Sequence, residues 1–557
     1  MKLNSRFHFL AFLMLPIIFS CNSNNSTDSS SAIITDFKAN THEELSKFFF
    51  DWRAFNAPIL VDGVPNYTAS AMATQHNDLS TWQANLNAFD TTGWTVPEQV
   101  DWYIVWAEMN GLDFAHRVKK PWERDPAFYV WFYPSYTDVP DREGPTIFGN
   151  IEYAYFEKPL KADDAASIAE RLKTIQPLYE QAKKNLTGNA RDLWVTGIKS
   201  IRGQSADLAA LVKEVESVYP DLAIAANEAI KVSDDLANWL DEQAPNKTGS
   251  SGVGKENYTW NLKNVHLLPY TWEEQVTLME RELIRAHSSL RLEEHRNRKL
   301  PKIEKIDNAA DYDRLFNAAL DEYLAFWERE EIVPMKPYMD QAFRERLGTF
   351  TVAGGLRSFF AEINYRAPII MRTHDYHWVD LARMRDEPHA SPIRATPLLY
   401  NIFDSRAEGV ATGMEEMMMH AGFLDKRPRE RELIWVLLAQ RAARGLGGLF
   451  QHGLEMTFDE ATQYASKWTP WDLLPADGST IQGEEQFYLR QPAYGTSYNM
   501  GKIEIERIMT EYARQRKGNF VMKDFMNDLN NVGMIPTSLI YWEMTGDKTL
   551  LEKATAK

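Results

Sequence analysis

Between Arg372 and Met384 the chain reads "RTHDYHWVDLARM". His374 and His377 stand three residues apart, Asp375 lies between them and Asp380 follows three further on. If the stretch is one helix, His374, His377 and Asp380 share a face. Two side chains at this spacing can converge on one ion, and imidazole is a good ligand for zinc and other transition metals. A third ligand from another helix would leave a position open for water. The spacing is a weaker signature than H-E-x-x-H. A polar helix seam with satisfied hydrogen bonds would carry the same residues.

About thirty residues on comes "SRAEGVATGMEEMMMHAG". Asp404 or Ser405 can cap it as a helix. Glu408 then falls in the first turn, with Glu415 two turns later on the same face and Glu416 beside it. Val410, Met414 and the run Met417 to Met419 indicate a packed helix. Carboxylates on such a face need Arg, Lys or a metal as counter-charge.

The elements that must hold these groups are helical. Asp163 to Leu186 places Ile168, Leu172, Ile175 and Leu178 at three- and four-residue steps. Asp207 to Leu240 continues in the same manner with a break near Pro220. Thr271 and Glu274 form a capping box ahead of a long periodic run. Arg429 to Leu449 and Gly501 to Gln515 are equally periodic. No succession of alternating strands and hairpin turns is present. The expected class is mostly α, with few or no strands and two lobes around a cleft. "APNKTGSSGVGKENY" (244–258) is the expected boundary, giving lobes at 34–250 and 251–557. "PWERDPAFYVWFYPSYTDVPDREGP" (121–145), with five prolines, is expected to be an ordered, irregular excursion whose aromatic residues lie near the cleft rim.

The N-terminus carries a different signal. Lys2 and Arg6 precede an apolar run from Phe7 to Phe19, and Ser20 precedes Cys21, the one cysteine of the chain. This reads as an export segment over 1–20, with Cys21 as a lipidation site and 21–33 as a flexible tether. The expectation is a lipid anchor in the bacterial cell envelope, at the outer membrane. No later segment has enough consecutive apolar residues to span a bilayer. A net charge of −17, without a basic stripe, argues against nucleic acid as a partner. Oligomeric state is not readable.

Several stretches together resemble the bacterial domain-of-unknown-function 885 family (DUF885), regarded as helical, zincin-like metallohydrolases. "AEGVATGMEE" is similar to the family's E-G-W-A-x-x-x-E-E segment. "RGLGGLFQHGLEMTFDEA" is similar to a segment with a His five residues before a helix-opening Thr, here His452 and Thr457. "QPAYGTSYNMGKIEI" is similar to P-G-Q-A-x-S-Y-K-x-G and matches at Ser497, Tyr498 and Gly501, with Tyr494 where the family has Gln. "NDLNNVGMIPTSLI", and in the N-terminal half "VDGVPNYTASAMATQ", "QVDWYIVWAEMNGLDF" and "GKENYTWNLKNVHLLPYTWEE", also resemble members of the family. The departure is the histidine stretch. Where the family has H-E-x-x-P-G-H, this chain has His374-Asp375-Tyr376-His377, without the Pro-Gly bend.

The resemblance implies a divalent ion, zinc, held by His374, His377 and Glu408. A metal-activated water would attack a peptide-type carbonyl. Asp375 would be the general base, with Glu415 in reserve, Tyr498 the oxyanion donor and His452 an assistant. The substrate would be small and peptide-like. Two alternatives stay open: an inactive envelope lipoprotein that binds peptides or glycans, and a glycosidase using a carboxylate pair.

Overall fold

The computed structural model describes residues 40–350 and 358–556. The export segment, Cys21 and the tether lie outside the described residues. The described residues are 69% helical with 2% in strands, and so mostly α. Two strand pairs occur among the described residues: Leu60–Val61 antiparallel to Val64–Pro65, and Phe132–Tyr133 parallel to Ile151–Glu152. The second pair takes one strand from within the proline-rich excursion.

Local chemistry sets several boundaries. Thr271 accepts a hydrogen bond from the Glu274 amide, and the Glu274 carboxylate accepts one from the Thr271 N–H, opening the helix Trp272–Asn297. Thr457 opens Phe458–Trp468 in the same way. The periodic run from Asp163 is two helices, Ala162–Leu172 and Ile175–Asn185. The next is Arg191–Val215 and Pro220–Gln243, which pack on each other and close an apolar core reaching from Val64 to Leu240.

Residues 39–557 form one compact unit. The Gly- and Ser-rich stretch expected to separate two lobes is tightly held. Ser251 Oγ accepts from the amides of Asp192 and Leu193 at 2.9 and 3.1 Å, and the Gly254 N–H donates to the His452 carbonyl at 2.9 Å. Its small residues serve close packing of backbone on backbone.

Three helices make the frame of the C-terminal part: Asp404–His420, Glu430–His452 and Tyr494–Gln515. The first and third approach until their backbones touch. A Cβ on Gly409 would stand 2.4 Å from the Gly501 carbonyl carbon, and a Cβ on Gly501 would stand 2.2 Å from the Ser405 oxygen. The helix Asp404–His420 is buried on nearly all sides, although it carries Asp404, Arg406, Glu408, Glu415 and Glu416. Buried charge of this density persists only when paired. Arg406 reaches both Asp380 oxygens at 3.0 and 3.1 Å, and Arg285 grips Glu416 through two bonds of 2.7 and 2.9 Å. Lys502 adds a third contact to Glu416 at 3.0 Å. Asp404 does not cap its helix, and neither does Ser405: the N-cap is Phe403, and an Asp404 oxygen accepts from Gln491 at 2.7 Å instead.

Candidate metal centre

The histidine stretch is not one helix. Pro368–His374 ends at Asp375 (φ −65°, ψ 12°), and Tyr376–Asp386 begins there. The expected single face of His374, His377 and Asp380 therefore does not form. Asp380 turns to Arg406, as described above. The two imidazoles still meet across the break, with ring centres 5.1 Å apart and planes at 80°.

Glu408 completes the cluster. Its Oε2 is 3.2 Å from His377 Nε2, and its Oε1 accepts from the Tyr494 hydroxyl. One ligand atom from each of His374, His377 and Glu408 falls within 4.8 Å of the others. Two imidazoles and a carboxylate are a donor set of catalytic zinc sites. Ligand bonds of about 2.0–2.1 Å at a tetrahedral angle put neighbouring donors about 3.3 Å apart. The His377–Glu408 separation of 3.2 Å is close to that value, and the donor types suit a zinc-sized ion.

His377 and Glu408 form a buried ion pair, and a metal would have to displace the imidazolium proton. Burial works against a charge on His377, but Glu408 and Asp138 outweigh it and hold the ring up to about 9. Burial would raise Glu408, yet His377 and Tyr494 among its partners hold it down to about 2. Burial, with Arg441 and His377 adding to it, lowers His374 well below the ordinary histidine range and leaves a neutral ring.

Glu415 lies behind His374, with Oε1 3.1 Å from His374 Nδ1. Its Oε2 accepts from Arg441 Nη1 at 2.7 Å, and Arg441 Nη2 is also 3.2 Å from His374 Nδ1. Arg441, an obligate donor, bonds this nitrogen, while Glu415 Oε1 stands beside it without a hydrogen bond and orients His374 through Arg441. Burial pushes Glu415 up to about 7 even against Arg441. Tyr498 stacks on His374 at 6.4 Å with planes 20° apart, and its hydroxyl is 3.5 Å from that of Tyr494.

Through His374 the cluster adjoins a cavity of about 720 Å³. His374, Asp375, Tyr494 and Tyr498 line it, as do Asp138 and Glu143 from the proline-rich excursion. That excursion is pinned by the Gly144 amide to Gln491 Oε1 at 2.5 Å and by Arg490 to Asp125 at 2.6 Å. It contributes these two acids to the wall, and the centre of its Tyr136 ring lies 3.8 Å from the guanidinium carbon of the lining residue Arg346. Asp375 Oδ2 stands 2.8 Å from Arg372 Nη1.

His452 does not join the site. It sits 11 residues beyond Arg441 on one helix, about 16 Å at 1.5 Å per residue. There its Nε2 meets the Tyr488 carbonyl at 2.9 Å, and burial lowers the ring to about 4. Arg441, Arg444, Asp138 and the role of Tyr494 were not found by sequence reasoning. The signal for the arginines was available: "LLAQRAARGLGG" places two cations in an otherwise apolar helix, and buried cations need anions.

Comparison with known proteins gives a consistent but general picture. The family described as "Bacterial protein of unknown function (DUF885)" matches residues 54–363. That stretch ends 11 residues before His374. Comparison with curated proteins finds no match. Two solved structures share the fold. One is from Shewanella oneidensis, provisionally described as a lipoprotein of unknown function, with a TM-score of 0.67, 17% identity, and coverage of 91% of this chain and 100% of that one. The other, from Colwellia psychrerythraea, is provisionally described as a lipoprotein, with a TM-score of 0.63, 12% identity, and coverage of 91% and 99%.

Proposed function

This chain belongs to the DUF885 family of bacterial proteins of unknown function, and we propose that it is a metal-dependent hydrolase of peptide-like substrates. The reading rests on one observation, the convergence of His374, His377 and Glu408 beside a substrate-sized cavity. These three residues would hold zinc. The ion, when bound, supplies Lewis acidity, polarising a carbonyl and acidifying water.

The chain's own residues supply the rest. Glu415 and Arg441 hold His374 in place from behind. Tyr494 engages the second oxygen of Glu408 and so fixes the rotamer of that carboxylate. Asp375 faces the cavity next to His374 and would take the proton of the attacking water on its carboxylate. The Tyr498 phenol also faces the cavity, where it would donate to the carbonyl oxygen as charge develops there. Export and lipidation at Cys21 would place the domain on the bacterial envelope, at the outer membrane; the two structural neighbours are described as lipoproteins and no more.

A second reading has its own observation. The ion pair of Asp375 with Arg372 draws its carboxylate away from base duty. This favours an inactive lipoprotein that binds peptides or glycans in the same cavity. Metal analysis of the purified protein beside a His374→Ala, His377→Ala double variant tests the first reading. About one zinc per chain in the parent, none in the folded double variant, and peptide hydrolysis that stops on chelation and returns with zinc are expected. A folded parent without metal would refute the hydrolase. Metal without hydrolysis would leave the binding protein.

A further inference from the structure

Arg444 lines the cavity, its side chain is wholly buried, and none of its three guanidinium nitrogens makes a hydrogen bond among the described residues. An arginine carries five N–H donors, and leaving them unmet in the interior is costly. Arg372, on the same cavity, and Arg383 also keep two nitrogens unbonded, but among the described residues only Arg444 keeps all three, and two other buried arginines show the contrast. Arg394 donates to Asp101 at 2.6 Å, to the Val532 carbonyl at 3.0 Å and to the Pro97 carbonyl at 2.8 Å. Arg406 is bonded to Asp380 and Asn530.

Arg444 is held instead by its faces. Its guanidinium carbon lies 4.4 Å from the centre of the Tyr498 ring, 5.7 Å from Tyr488 and 5.8 Å from Phe360. Aromatic faces attract and orient a guanidinium without consuming its N–H edges. Glu484 supplies counter-charge at 2.8 Å from Nη1, but out of line for a hydrogen bond, and its Oε2 already accepts from the Tyr488 hydroxyl at 2.5 Å. The guanidinium fork is thus kept charged and oriented at a cavity wall, ion-paired through Nη1 but with no nitrogen hydrogen-bonded. A planar carboxylate is the ligand that such a fork meets with two parallel bonds. A phosphate dianion fits less well, because Asp138, Glu143 and Glu484 line the same space.

We infer that Arg444 is a specificity residue that anchors a carboxylate of the substrate. The inference rests on the hydrolase reading for its meaning as a substrate, and on Arg444 alone for the binding itself. The Tyr498 ring links the two places. It is 4.4 Å from the guanidinium and 6.4 Å from the His374 ring. Together these bound the separation at about 11 Å, which is at most three residues of extended peptide at about 3.3–3.6 Å each. The carboxylate therefore lies within three residues of the bond addressed at His374. It is either a peptide C-terminus or the side chain of Asp or Glu.

Calorimetry on the purified full chain decides this, with zinc content measured on the same samples. The probes are acetyl-tetra-alanine as free acid, the same peptide as C-terminal amide, and an amide with Glu replacing one alanine. The parent should bind the free acid at least tenfold more tightly than the plain amide. In Arg444→Met the two should come within twofold of each other, and Arg444→Lys should restore only part of the difference. A Glu-containing amide that matches the free acid assigns a side chain as the source, and one that matches the plain amide assigns the C-terminus. Equal binding of all three by the parent, no binding at all, or a preference that survives Arg444→Met overturns the inference. If Arg444→Met does not fold, Glu484→Gln decides. Removing the competing anion should tighten the free acid severalfold and leave the amide alone, and unchanged acid binding refutes the anchor. Acid preference in a parent without zinc would sink the hydrolase and keep the anchor. Zinc without acid preference would do the reverse.

Discussion

The crossing of Asp404–His420 with Tyr494–Gln515 sets the candidate site, because one helix carries Glu408 and the other carries Tyr494 and Tyr498. Gly501→Ala tests it. The added Cβ would lie 2.2 Å from the Ser405 oxygen, 2.7 Å from the Gly409 Cα and 3.0 Å from the Gly409 nitrogen. All three are backbone atoms of a helix and cannot swing aside. To reach ordinary contact the helices must part by about 1 Å, against the interdigitation of every neighbouring side chain. Overpacking of this kind costs typically ~1–3 kcal/mol, and a clash with backbone falls at the upper end or beyond. Helix propensity returns about 1 kcal/mol of that, since alanine replaces glycine. A net destabilisation of about 2 kcal/mol or more is expected by denaturant titration, with zinc affinity reduced because Tyr494 withdraws from Glu408. Gly203 provides the control. It lies in the helix Arg191–Val215 with nothing within 4 Å of its Cβ position. Gly203→Ala should stabilise by about 0.5–1 kcal/mol. If Gly501→Ala matches Gly203→Ala, the two helices do not touch as described, and the account of how Glu408 is positioned fails.

Two other perturbations address charge. Glu415→Gln removes the anion that pairs with Arg441 and faces His374 Nδ1. Zinc affinity measured by chelator competition should drop about 10- to 100-fold while the fold persists, and unchanged affinity would show that Glu415 does not orient His374. Burial alone would raise Glu416, but Arg285 and Lys502 hold it down to about 2 from an ordinary 4.5. A depressed carboxyl stabilises fully above its unfolded pKa and loses that contribution as pH falls through the folded one. The stability gap between the parent and Glu416→Gln should therefore be complete above about pH 5 and close between about pH 4.5 and 2. A gap that does not vary with pH would show that the ion pair is not its source.

What could be read from the sequence was what local chemistry controls. The Thr271 box fixed a helix start because both partners lie within four residues. The run from Arg429 to Leu449 was legible because its period repeats for six turns, and the helix extends only to Glu430–His452. The cap assigned to Asp404 or Ser405 failed because a distant partner, Gln491, drew the Asp404 side chain away. The lobe boundary rested on Gly and Ser composition, which serves a loose linker and a tight backbone contact equally well. His452 came from a motif match alone, and nothing local placed it on the cavity. The arginines escaped for the opposite reason. Their roles depend on residues 26 to 84 positions away, from Glu415 and His374 for Arg441 to Phe360 for Arg444.

The histidine stretch shows how a break in a helix can aim two histidines separately. Here two residues lie between them, and a continuous helix would set both rings on one face with their helix turn fixed between them. The chain instead closes one helix at His374 and opens the next at Tyr376, with the Asp375 amide still bonded to the Met371 carbonyl at 3.1 Å. That break gives each ring a separate orientation, and their planes stand at 80°. His377 is then free to face Glu408, and His374 is free to turn its Nδ1 toward Glu415 and Arg441. The position of Glu408, set by the Gly409–Gly501 contact, is what gives the two orientations a common meeting point.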